Sequence, residues 1–205
     1  MKPIVEIICV TYGHGFKLKC FIDSIRCQTS KNWALHIIHD GPEGFDALKL
    51  NLTTNGYLDR ENIVLTATDK RYNDYGHSLR EFGLQNRISD AKYITITNGD
   101  NYYAPVWVRQ LELSPSGSDF IYWDCVHDHD RNANFDRRGG YALLDTKLKN
   151  CAIDMGCAAI RSDIAVEVGF PYRNFCGDWD YFKNCLSKCD PKKVFKNQRI
   201  LFVHN

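Results

Sequence analysis

The chain has 205 residues, of which 44% are hydrophobic and 25% charged, and its 26 basic and 25 acidic residues leave a net charge of +1. This length predicts one domain spanning residues 1–205, and the composition excludes a disordered, coiled-coil or collagen-like chain. A net charge near zero gives no overall field that would recruit nucleic acid or an acidic membrane. Apolar runs such as Ile7–Val10 are far shorter than the roughly 18 residues of a transmembrane helix, so we expect no membrane span.

The first half of the sequence alternates between strand and helix patterns. The predicted strands, each a short apolar run bounded by turn residues, are 4–10, 34–39, 62–68 and 92–97. The predicted helices, which have apolar residues at helical spacing or a proline at their start, are 16–28, 78–88 and 105–113. This alternation predicts an α/β fold with a mainly parallel central sheet flanked by helices.

The pattern changes after residue 125. A strand is predicted at 119–125, and the polar segment 127–140 that follows is predicted to be a loop lining an acceptor cleft. Its His127-Asp128-His129-Asp130 run, together with Asp124, leaves a metal cluster open as an alternative. The remaining predicted elements are strands 155–160 and 200–204 and helices 162–168 and 178–187.

The nine cysteines include no C-x-x-C pair. Their odd number, and the position of Cys9 and Cys157 inside apolar runs, favours free thiols over a disulfide framework. Free thiols are typical of a reducing compartment, so we expect a cytoplasmic location, in the producing cell or in a host cell.

Polar residues follow each strand of the first half, where the carboxyl ends of parallel strands would meet at one edge of the sheet. Asp100 comes directly after a buried strand, where a carboxylate can hold a hard cation such as Mg²⁺ or Mn²⁺. The sequence around it, Asn-Gly-Asp-Asn, is equally typical of a turn. No dinucleotide-binding, P-loop, nucleophile-elbow or H-E-x-x-H motif is present.

Four motifs occur in an order that resembles the inverting nucleotide-sugar transferases of glycosyltransferase family 2, which have the GT-A fold. The stretch from IICVTYGHG to HIIHDGPEG is similar to that family's opening, with Thr-Tyr after one strand and Asp-Gly after the next. YGHSLREFGL and YITITNGDN resemble its arginine-bearing segment and its metal motif, and CGDWD resembles the late motif that supplies a base. The resemblance covers residues 4–190. The compact form also resembles a sugar-transferase domain of a larger, virus-encoded enzyme, which would add further domains.

The resemblance implies a nucleotide-binding half at 1–100 and an acceptor and catalytic half at 101–205. It implies transfer of a sugar from a UDP-sugar, UDP-glucose by default or UDP-rhamnose, to a glycan or another hydroxyl acceptor. The residues that it assigns to the donor are Thr11, Tyr12, Asp40, Arg71, Asn98 and Gly99. Asp40 would accept a hydrogen bond from the uracil imide.

The resemblance further implies Mn²⁺ or Mg²⁺ as cofactor, with Asp100 and His204 as protein ligands. Asp178 matches the general base, and a plain helix N-cap is the alternative for this residue. The chain departs from the family at Asn98, where an aspartate is usual, and at Gly177, where a glutamate is usual. Two other functions stay open: a metal-dependent hydrolase using residues 124–130, and a module that binds a nucleotide-sugar or glycan without turnover.

Overall fold

The strands form one mixed sheet in the computed structural model, which describes residues 2–13, 15–128, 141–172 and 177–205. The strands are β1 Val5–Thr11, β2 Trp33–His39, β3 Ile63–Ala67, β4 Tyr93–Asn98, β5 Tyr102–Tyr103, β6 Phe120–Asp128, β7 Tyr141–Leu144, β8 Ala158–Arg161 and β9 Val194–His204. Their order across the sheet is β3-β2-β1-β4-β8-β6-β9-β5, and β7 pairs with β6.

Helices cover the sheet on both faces. They are α1 Gly15–Arg26, α2 Phe45–Thr54, α3 His77–Gln85, α4 Trp107–Glu112, α5 Ser162–Val168 and α6 Gly177–Lys188. Short 3₁₀ turns at Met155–Cys157 and Pro191–Lys193 precede β8 and β9. None of the helices in the described ranges is long and apolar enough to cross a membrane.

The first half of the sheet is parallel. β1 lies between β2 and β4 and runs parallel to both, and β3 runs parallel to β2. The carboxyl ends of these four strands therefore lie at the same edge of the sheet, where ligands bind in open α/β sheets.

The α/β fold with helices around a central sheet is confirmed, but the sheet is less parallel than predicted. β8 runs antiparallel to both β4 and β6, and β5 and β7 run antiparallel to β9 and β6. β6 and β9 run parallel to each other. In the second half, α4 connects β5 to β6 and α5 and α6 connect β8 to β9, but neither connection joins strands that are neighbours in the sheet.

Successive residues of a strand point to opposite faces of the sheet, so the apolar residues of each strand contribute to two hydrophobic cores, one on each face. Along β1, Ile7 and Cys9 belong to the core beneath α1 and α4, whereas Ile8 and Val10 belong to the core beneath α3, α5 and α6. α3 lies very close to the sheet, because a Cβ at Gly83 would meet the side chains of β1 and β2. This close packing fixes α3, and the polar side chains that it carries, next to the functional edge.

Several elements differ from the sequence predictions. α2 was not predicted, although Phe45, Leu48 and Leu52 lie at helical spacing and are its only residues that are not exposed. β9 begins at Val194 rather than at 200, since a bulge interrupts its pairing with β6. β6 continues to Asp128, so His127 belongs to a strand rather than a loop. The rest of the predicted loop, 129–140, lies outside the described residues.

Candidate functional site

A cavity of about 280 Å³ opens where β1, β2 and β4 end. Six of the eight residues expected to bind the donor or the metal line this cavity: Thr11, Tyr12, Asp40, Arg71, Asn98 and Asp100. They come from four separate parts of the sequence, and the parallel strands bring them together. The other two, Gly99 and His204, lie elsewhere.

Tyr12 presents an aromatic ring at the cavity. Its side chain is 37% exposed, the Arg71 guanidinium carbon lies 3.8 Å from its ring centroid, and the His39 ring centroid lies 5.6 Å away. A guanidinium over an aromatic face is a favourable cation–π contact. The arrangement offers flat, partly exposed groups on which a planar ring can stack.

Asp40 organises the loop that carries Arg71. Its two carboxylate oxygens accept hydrogen bonds from the backbone N–H groups of Tyr72 and Asn73, at 2.8 and 2.9 Å. Gly41 fits closely against the same loop, since a Cβ there would lie 2.7 Å from the backbone nitrogen of Arg71. The sequence predicted contact with a base for Asp40 and missed this structural role, which depends on residues more than 30 positions away.

Gly99 is not among the residues that line the cavity. A Cβ at this position would approach the Leu18 side chain to 2.9 Å and the Thr11 hydroxyl oxygen to 3.1 Å. The Thr11 hydroxyl is buried and has no hydrogen-bond partner among the described residues. Gly99 therefore allows the turn after β4 to pack against β1, beside the unpaired Thr11 hydroxyl.

Asp178 forms an ion pair with Arg80 of α3. The Arg80 side chain is 5% exposed and Asp178 is 34% exposed. Arg80 also contacts the Nδ1 atom of His77 at 3.3 Å and lies over the Phe170 ring. Asp178 is the second residue of α6, and its carboxylate is directed at a buried cation on another helix.

Gly177 stands at a position where the family that the sequence resembles usually has a glutamate. A Cβ here would lie 3.1 Å from Cε1 of His77 and 3.2 Å from Cβ of Tyr172. A glutamate would have to displace these neighbours. The close contact between the start of α6 and α3 thus accounts for a glycine immediately before Asp178.

A second group of polar side chains lies at the ends of β6 and β9. His127, Asp154 and His204 each offer one possible metal-binding atom, and these atoms all lie within 4.8 Å of one another. The two imidazole rings are stacked, with centroids 4.2 Å apart and planes 10° apart. His204 Nε2 lies 3.4 Å from Asp154 Oδ2. Among the described residues, Asp100 does not belong to this group, and its expected pairing with His204 at a metal stays a prediction.

The two parts of the site are neighbours. Asn101, next to Asp100, accepts a hydrogen bond from the backbone N–H of Asn205, next to His204, at 3.3 Å. Burial raises the pKa of the Asp154 carboxyl, the His204 ring opposes this rise, and Asp178 adds to it. Asp154 therefore lies close enough to the Arg80–Asp178 pair to respond to its charge.

The comparisons with known proteins give no relative by sequence: no family model matches the chain and no curated protein matches it. Solved structures do match. TarS 1–349 from S. aureus has a TM-score of 0.75 at 11% identity, and the match covers 100% of this chain and 60% of TarS 1–349. The same protein in complex with UDP-GlcNAc has a TM-score of 0.73 at 12% identity, covering 99% and 58%.

A third structure is the mannosyltransferase PcManGT from Pyrobaculum calidifontis in complex with GDP-Man and Mn²⁺. Its TM-score is 0.70 at 15% identity, and the match covers 100% of this chain and 57% of PcManGT. The chain has the GT-A fold. It spans about 60% of the length of TarS 1–349 and of PcManGT, and 37% of the TarS chain in another structure.

Proposed function

We propose that the chain is a nucleotide-sugar glycosyltransferase, an inverting enzyme of family 2 that moves a sugar from a UDP-sugar to a hydroxyl of a glycan or another acceptor. The observation that carries the proposal is the cavity at the ends of β1, β2 and β4, which collects six of the eight expected donor and metal residues. The complexes of the structural neighbours with UDP-GlcNAc and with GDP-Man and Mn²⁺ support it. UDP-glucose is the default donor and UDP-rhamnose the alternative.

The donor nucleoside would bind at Thr11 and Tyr12. Uracil would stack on the partly exposed Tyr12 ring, and the unpaired Thr11 hydroxyl would bond to a polar atom of the nucleoside. Arg71 would contact the nucleotide as a cation. Each Asp40 oxygen uses one lone pair on the loop and keeps another, which would accept the uracil imide N–H.

Asp100 would hold Mn²⁺ or Mg²⁺ together with diphosphate oxygens of the donor, because its carboxylate lines the cavity and oxygen ligands suit both ions. When bound, such an ion neutralises charge that develops on the diphosphate leaving group. Asn98, uncharged where the family has an aspartate, would donate a hydrogen bond to the ribose. His204 belongs to the separate group with His127 and Asp154.

Asp178 would act as the general base that removes the proton from the acceptor hydroxyl. Its ion pair with Arg80 holds the carboxylate in one orientation, and its 34% exposure leaves it accessible to an acceptor. Attack of the deprotonated hydroxyl in a single in-line displacement would invert the anomeric centre.

The test is calorimetric titration of the chain with UDP and with GDP, each with and without Mn²⁺, followed by UDP release from UDP-sugars in the presence of acceptor glycans. We expect UDP to bind more tightly than GDP and Mn²⁺ to strengthen its binding. Failure of both nucleotides to bind at millimolar concentration would overturn the proposal.

Two observations favour a binding module without turnover as the second candidate: Asn98 replaces a charged residue, and Asp178 is already paired with a buried arginine. Both candidates predict UDP binding, but only the enzyme releases UDP from its donor.

The proposed location remains the cytoplasm, and the eight cysteines of the described residues are all free.

A further inference from the structure

We propose that His127, Asp154 and His204 form a metal site of their own, which binds a transition ion such as Co²⁺, Zn²⁺ or Mn²⁺ without any nucleotide. The site makes no use of the cavity at the ends of β1, β2 and β4. It goes beyond the proposed function and would exist if the chain bound no UDP-sugar at all.

The distances within the group suit a shared ion. Two ligand atoms that each lie about 2.1 Å from one ion are about 3.0–3.4 Å apart at octahedral or tetrahedral angles. His204 Nε2 and Asp154 Oδ2 are separated by 3.4 Å, and all three residues have ligand atoms within 4.8 Å of one another. The two imidazole rings are stacked and nearly parallel, so one of them must rotate before both ring nitrogens can enter the same coordination sphere.

The fold holds each ligand in place. His127 and His204 are register partners on the parallel strands β6 and β9, so their rings project side by side. Asp154 precedes the 3₁₀ turn, and its Oδ1 accepts a hydrogen bond from the backbone N–H of Gly156 at 2.9 Å. This bond leaves Oδ2 directed at His204, the kind of second hydrogen bond that orients metal-binding carboxylates.

The group also contains a buried carboxylate that pairs with no lysine or arginine among the described residues. Asp154 is largely buried at 17% exposure, and the nearby Arg80 cation is already paired with Asp178. A bound cation would supply the positive charge that the buried carboxylate lacks, since unpaired buried charge is unfavourable.

The ligand types define the class of ion. Two imidazoles and one carboxylate favour first-row transition ions, whereas Mg²⁺ prefers an all-oxygen environment. Three protein ligands also leave coordination positions open to water or to an acceptor group. The site therefore differs in chemistry from the carboxylate and diphosphate site proposed at Asp100.

The experiment titrates Co²⁺ into the full chain, freed of metal and in the absence of nucleotide, with excess Mg²⁺ present. Calorimetry measures the affinity, and visible absorption reports whether nitrogen and oxygen or thiolate ligands bind the ion. We expect one Co²⁺ per chain with nitrogen and oxygen ligands, and at least a tenfold loss of affinity in both His127→Ala and Asp154→Asn. The conservative Asp154→Asn variant keeps the test decisive if His127→Ala fails to fold.

Asp100→Asn is the matched control, and it should leave Co²⁺ binding unchanged when nucleotide is absent. The proposal is overturned if the unaltered chain does not bind Co²⁺ without UDP, if either site variant binds it equally well, or if thiolate bands dominate the spectrum. A separate titration with UDP reports on the proposed function, so the failure of one proposal is distinguishable from failure of the other.

Discussion

Replacing Asp178 by asparagine separates a catalytic role from a structural one. The substitution keeps the shape of the side chain and a carbonyl oxygen that can accept a bond from Arg80, but it removes the negative charge and the basicity. If Asp178 is the general base, transfer should fall by about 10²–10⁴-fold. Binding of UDP and Mn²⁺ should change little, because Asp178 does not line the nucleotide cavity.

The expected loss of stability follows from the burial of the two partners. Breaking a fully buried ion pair costs about 3–5 kcal/mol, and an exposed pair contributes about 0.2–1 kcal/mol. Arg80 is 5% exposed but Asp178 is 34% exposed, so water partly replaces the lost partner. With a carbonyl oxygen retained, we expect about 1–2 kcal/mol, which lowers the melting temperature of a chain this size by about 2–8 °C.

The assay measures transfer rate and melting temperature for Asp178→Asn and for Asp180→Asn, a matched change in the same helical turn. Asp180→Asn should retain most of the transfer activity. If Asp178→Asn loses stability as calculated yet transfers sugar within a few-fold of the unaltered chain, the reasoning is refuted. Asp178 would then be the structural partner of Arg80 and no more.

Three further predictions concern the ligands and the pH dependence. UDP should raise the melting temperature, Mn²⁺ should increase this effect, and EDTA or Asp100→Asn should remove the increase, because a ligand that binds only the folded state stabilises it by mass action. Asp40→Asn should weaken UDP binding by about 1–3 kcal/mol, since one backbone N–H of the Arg71 loop then faces an amide N–H instead of an oxygen. Burial lowers the pKa of His36 from 6.5 to about 4, so the unfolded chain binds this proton first and the free energy of unfolding should fall as pH drops below about 6.5. Between pH 7 and pH 5 the loss from this group should be about 2 kcal/mol, and chemical denaturation of the chain and of His36→Gln should show a shallower pH dependence in the variant.

Each of these predictions has a contradicting result. If UDP stabilised the chain equally with and without Mn²⁺, Asp100 would not act as a metal ligand. Asp40→Asn with unchanged UDP affinity would show that neither the loop nor the base depends on the carboxylate. Identical pH dependence of unfolding in His36→Gln and the unaltered chain would mean that His36 titrates alike in the folded and unfolded states.

The sequence alone determined those strands that are buried on both faces, because such burial produces a short continuous run of apolar residues. β1, β2 and β4 lie between layers of helices and are apolar on both faces, so their short apolar runs were recognised within one or two residues of their ends. The polar residues that follow these strands were then identified correctly as neighbours, because parallel strands bring their carboxyl ends to one edge whatever the details of packing.

Tertiary structure alone decided the contacts between residues far apart in the chain. Asp178 meets Arg80 across 98 positions because α6 packs beside α3, and no local pattern predicts that pairing. His127 joined His204 only through the parallel pairing of β6 with β9, whereas its polar neighbours predicted a loop. Asp154 was not identified at all, since an aspartate before a 3₁₀ turn is ordinary in sequence and becomes notable only when two imidazoles lie beside it. Local periodicity specifies which face of an element is buried, but which buried faces meet depends on the packing of the whole sheet.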